Sequence, residues 1–174
     1  YQNHEVFQFA EEELKDYWNK MQKKSHALRK PGSYRLRLEL TDGGKCCQKM
    51  QYPETAPDGY VIHTGIGGGV IAGNNPVSVL IGVYAWLQSA GCHFLRPGKK
   101  YEIIEPLTDI DALSMTEKKT ASFQHRGVCI EGANSLENIL DFIDWLPKMG
   151  YNSFFLQFKL PYTFMARWYH HENN

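Results

Sequence analysis

Apolar residues recur along this chain at two periods, and the switches between them divide it into helices and strands. Leu14, Tyr17, Trp18 and Met21 fall at i, i+3, i+4 and i+7, a spacing that gathers apolar side chains on one helix face. Residues 5–9, just upstream, read as a short strand. Lys23 and Lys24 suit the helix end, where unpaired carbonyls attract cations, and Pro31-Gly32 blocks continuation. Tyr34, Leu36, Leu38 and Leu40 then alternate with Arg35, Arg37 and Glu39, predicting a half-buried strand. The polar stretch 41–56 reads as a loop. Strand-like runs at 59–64 and 69–73 flank Gly65-Ile66-Gly67-Gly68-Gly69, and Asn75-Pro76 opens a second helix with proline at its first position. Leu80, Val83, Tyr84 and Leu87 form its buried stripe, and Gly91 ends it. Residues 93–95 and 101–104 form two more short strands around Pro97-Gly98.

The polar, charged stretch 108–120 reads as a linker. Beyond it the order is strand, helix, strand, helix. Residues 123–130 form the first strand, and Asn134 with Glu137 resembles a capping box. Leu136, Ile139, Leu140, Ile143 and Leu146 line one helix face. The apolar run 152–158 is the pattern of a strand buried on both sides in a parallel sheet. Two parallel strands are not stable alone, so this βαβ piece must dock on the first part or begin something larger. The predicted class is α+β, with a domain over 1–108, a linker over 109–120 and the βα units over 121–174.

Composition narrows the partners. The chain is 43% hydrophobic and 13% aromatic, enough to fold, and Lys+Arg equals Asp+Glu at 19 each. That balance gives no electrostatic reason to expect nucleic acid or an anionic membrane, and no apolar run is long enough to span a bilayer. Cys46, Cys47, Cys92 and Cys129 make no CxxC pair, so neither zinc nor redox chemistry is predicted.

Individual motifs narrow the chemistry. The Gly65–Gly69 cluster joins two strands and lacks a following Lys-Ser/Thr, so it reads as a turn and not a phosphate cradle. Adjacent His170 and His171 point about 100° apart on a helix, which disfavours a shared metal. Tyr162, Phe164, Trp168 and Tyr169 suit either a core stripe or a sugar-stacking platform. Arg126, on an otherwise apolar strand, needs acceptors for a charge it cannot lose. Two answers stand: an ion pair with Glu131, or sugar hydroxyls gripped by the guanidinium fork with Glu131 alongside.

The stretch from Gly73-Asn74-Asn75-Pro76 through Gly82-Val83-Tyr84-Ala85-Trp86-Leu87 to Gly91-Cys92-His93-Phe94-Leu95-Arg96-Pro97-Gly98 is similar to the domain preceding the barrel in family 20 glycoside hydrolases (the β-N-acetylhexosaminidases) and α-glucuronidases. Residues 123–131, Phe-Gln-His-Arg-Gly-Val-Cys-Ile-Glu, and 149–155, Met-Gly-Tyr-Asn-Ser-Phe-Phe, resemble those enzymes' first two barrel strands. The resemblance implies an antiparallel sheet covering two helices, then the opening of a (β/α)8 barrel. It implies substrate contacts from Arg126 and Glu131, an oligosaccharide or glycoside as partner, completion by the rest of a barrel, and no cofactor or metal. The cleaving carboxylate pair would come late in the barrel, so no residue of this chain is expected to be catalytic. Asn134 stands where hexosaminidases often carry arginine, and Gln157-Phe158-Lys159-Leu160 replaces their His-rich acidic run. The alternative is a non-catalytic carbohydrate-binding or scaffolding protein.

Overall fold

The computed structural model describes residues 4–23, 34–41, 57–108, 113–131 and 135–157. Helix α1 spans Glu5–Lys23, so residues 5–9 are helical and not the expected strand. Phe7 and Ala10 continue the stripe of Leu14, Tyr17 and Met21 upstream, and both are buried. The His4 carbonyl accepts from the Phe7 and Gln8 amides at 2.9 and 3.1 Å, closing the first turn.

Strands β1 (Arg35–Leu40), β2 (Gly59–Gly65) and β3 (Gly68–Gly73) share one sheet with β6 (Met115–Thr120), in the order β1-β3-β2-β6. β2 pairs antiparallel with β3 and with β6, whereas β1 pairs parallel with β3. The sheet is therefore mixed, not antiparallel throughout. The stretch expected as a linker contains β6, an edge strand with Met115 and Glu117 half-buried and Thr116, Lys118 and Lys119 exposed.

Close backbone approach fixes β1. The Arg35 amide donates to the Gly67 carbonyl at 3.0 Å. A Cβ on Gly68, whose φ is +131°, would lie 1.9 Å from the Arg35 carbonyl oxygen. No side chain fits there, and the conformation itself favours glycine.

Helix α2 (Pro76–Ser89) lies against β1, β2 and β3, and α1 packs on α2. The Asn75 side chain caps α2 by accepting from the Ser78 amide, and proline fills its first turn. Tyr17, Met21, Ile62, Ile71, Val83, Tyr84, Trp86 and Leu87 form the centre of the core. The short β4 (Cys92–Phe94) and β5 (Glu102–Ile104) make an antiparallel pair beside it.

The second part is β7 (Gly127–Glu131), α3 (Leu136–Lys148) and β8 (Ser153–Gln157), the strands pairing parallel with Glu131 opposite Gln157. Ser135, not Asn134, caps α3, accepting from the Asn138 amide at 3.1 Å. One face of β8 is covered, Phe154 stacking on Phe142 of α3 with ring centroids 6.1 Å apart. The other is not: Phe155 is 61% exposed, so β8 is not buried on both sides. The molecule is α+β, with three helices and three sheets among the described residues.

Candidate functional site

Arg126 immediately precedes β7, and its guanidinium is bound on several sides. Nη2 donates to Asp58 Oδ2 at 2.6 Å, Nε to the Gly150 carbonyl at 2.8 Å, and Nη1 to the Phe123 carbonyl at 2.9 Å. The partner that sequence reasoning demanded is thus Asp58, just ahead of β2 and 68 positions away. Asp58 also accepts from Asn152 Nδ2 at 2.9 Å and from Asn75 Nδ2 at 2.8 Å. Burial pushes its carboxyl pKa up, but bonds from Arg126, Asn75 and Asn152 outweigh burial and hold it below the usual carboxylate value. Asp58 thereby ties the N-cap of α2 to the entry of both parallel strands.

Glu131 sits at the far end of β7, with its backbone in register with Gln157. Arg126 and Glu131 therefore stand before and at the end of one five-residue strand, roughly 16 Å apart at the usual rise per residue. The strand does not bring them to one point. The aromatic group at 162–169 and the His170-His171 pair lie outside the described residues. Gly65–Gly69 forms the expected turn, with φ of +86° at Gly67.

A second cluster was not visible in the sequence. Lys148, at the end of α3, is wholly buried and donates to Glu102 Oε1 at 2.7 Å and to Asp144 Oδ2 at 2.5 Å. Its Nζ lies 5.3 to 5.9 Å from the ring centres of Phe94, Tyr17 and Tyr84. Tyr17 donates to Glu102, and Tyr84 to Glu13 at 2.7 Å. Burial and the neighbouring carboxylates push both phenols far above their ordinary pKa. Burial pulls the Lys148 pKa down, but Asp144 and Glu102 win and raise it. Both Tyr17 and Tyr84 therefore stay protonated, with their hydroxyls committed as donors, so the cluster serves to join elements. Trp145 Nε1 to the Phe94 carbonyl at 2.9 Å and Gln88 Nε2 to the Lys148 carbonyl at 2.8 Å complete a polar seam along α3.

Between the seam and the Arg126–Asp58 pair lies a cleft of about 510 Å³, bounded by α2, β2, β6 and the start of the parallel unit. Among the described residues no three His, Cys, Asp or Glu side chains gather as a metal site. No helix there is long and apolar enough to cross a membrane. Compared with protein-family models, curated proteins and solved structures, the chain shows no significant match to any, and its chemistry rests on this geometry.

Proposed function

We propose that this chain is the leading part of a carbohydrate-active enzyme of the family 20 glycoside hydrolase type, with β7-α3-β8 opening a (β/α)8 barrel that continues beyond it. The observation that carries this reading is the parallel β7–β8 pair docked on an α+β body while Phe155 of β8 stays largely exposed. A parallel pair is normally covered on both faces, and further barrel strands would cover this one. In such a barrel, substrate binds at the C-terminal strand ends, where Glu131 and Gln157 stand. Arg126 stands at the other end, the side associated with stability. Its role in the hydrolysis is positioning: it locks the start of the parallel unit to Asp58 and makes no contact at the strand ends.

The test is hydrolysis by the full-length parent of aryl N-acetylglucosaminide, N-acetylgalactosaminide, glucuronide and plain hexosides. Turnover of one member is expected. Glu131→Gln should lower kcat/KM by about tenfold or more at unchanged Tm, the cost of losing a charged contact to substrate. Arg126→Ala should lower Tm together with activity, and Asp58→Ala should reproduce both losses. A folded parent inert toward the whole panel would favour a non-catalytic glycan-binding or scaffolding protein. That reading draws support from Arg126 being engaged within the protein.

A further inference from the structure

The cleft beside the Arg126–Asp58 pair is a site distinct from the strand ends. Its walls carry Asp58, Tyr60, Glu117, Lys119 and Arg126, and Phe123 stands at its rim. The volume falls within the roughly 300–1,000 Å³ of pockets that take small molecules, which also favour junctions between structural units. Three observations specify what it accepts.

The first is charge: Asp58 and Glu117 stand with Lys119 and Arg126, and the third cation of the lining, Lys148, is neutralised by Glu102 and Asp144, so the walls carry no net excess and favour a neutral ligand. The second is hydrogen-bonding character. The Tyr60 hydroxyl donates to Glu117 Oε1 at 3.2 Å, leaving that carboxylate acceptor capacity. The bonds from Arg126 to described residues use three of its five N–H donors. The cleft thus offers both donors and acceptors, matching hydroxyl groups, which both donate and accept. The third is Phe123, 72% exposed in the short connection between β6 and β7. Its ring presents a flat apolar surface beside polar walls, the complement of a pyranose whose faces carry C–H bonds and whose edge carries hydroxyls.

The geometry points to this cleft as a binding site for a neutral saccharide unit, at the junction of the α+β body and the parallel pair. The inference does not depend on the hydrolase reading, since an inert parent could hold a sugar here and an active one could lack the site.

The test is 1H–15N NMR titration of the 174-residue chain with N-acetylglucosamine and with methyl β-glucoside. Saturable shifts are expected at the amides of Glu117, Lys119 and Phe123. Phe123→Ala removes an exposed ring while keeping the backbone carbonyl that holds Arg126, and should weaken binding roughly fivefold or more. Glu117→Gln keeps an acceptor for Tyr60 but alters the charge balance, and should weaken it as well. Ile66→Ala, on the β2–β3 turn and 86% exposed, should change nothing. Absence of saturable shifts with both sugars would overturn the inference. So would shifts confined to Glu131 and Gln157, or a Phe123→Ala protein that binds like the parent.

Discussion

Lys148 places one ammonium between two carboxylates and three aromatic rings with no access to water. Removing the charge while keeping the length, as in Lys148→Met, leaves Glu102 and Asp144 facing each other without it. Breaking a buried pair from one side costs about 3–5 kcal/mol, so urea unfolding should show a loss of that size, and a loss below about 1 kcal/mol would contradict the arrangement. Asp58 makes a pH prediction. Its folded pKa lies below the unfolded one, so its contribution is complete above the unfolded value near 3.9 and is lost as pH falls through the folded value. Stability measured from pH 5 to pH 2 should fall less steeply in Asp58→Asn, after allowing for its lower starting point. At this scale the sequence was legible as demand and not as supply. Arg126 on an apolar strand called for an acceptor, and its sequence neighbour Glu131 was the nearest to hand. The acceptor came from 68 positions upstream, a separation set by topology, on which a linear pattern is silent. Nothing in the sequence pattern marked Lys148, a cation in the last turn of α3, as buried.

Periodicity carried most of the elements. The α2 stripe, the β2–β3 hairpin and the β4–β5 pair emerge close to where hydrophobic spacing puts them. The errors share a cause: a local pattern read without its neighbour. Residues 5–9 span too few positions to separate strand from helix, and Phe7 and Ala10 settle the matter by joining the buried core. β6 looked like a linker because charges on an edge strand face water, and they discourage another chain from pairing there. The same feature that makes a safe edge hides the strand. The parallel placement of β1 rests on Gly68, whose missing side chain admits the Arg35 backbone. Gly68→Ala should cost at least about 2 kcal/mol, because strain at positive φ and a backbone clash act together. Thermal denaturation checks this, and Gly65→Ala, where a Cβ meets nothing within 4 Å, is the control with a much smaller expected effect.

A set of polar contacts ties the molecule's two parts together: Arg126 and Asn152 on Asp58, Lys148 on Glu102, Trp145 on the Phe94 carbonyl, and Gln88 on the Lys148 carbonyl. A two-stranded parallel unit has little stability of its own, so it should share the unfolding transition of the body it rests on. Far-UV circular dichroism and tryptophan fluorescence should therefore give coincident denaturation curves in the native chain. In Asp58→Asn/Lys148→Met the curves should separate, with the parallel unit melting first. Coincident curves in both proteins would mean that apolar packing, such as that of Trp145 against the core, is enough to couple the parts.

The order β1-β3-β2-β6 also has a meaning in time. β2 leaves the ribosome well before β6, which is separated from it by the whole of α2, β4 and β5. At roughly 5–20 residues per second, the hydrogen-bonding rim of β2 stays open for several seconds during every round of synthesis. Once β6 arrives it closes that rim, and a few residues later Arg126 reaches Asp58 at the head of β2. A ribosome that stalls between Ile104 and Met115 would thus hold out an unclosed sheet to the neighbouring nascent chain on the same message.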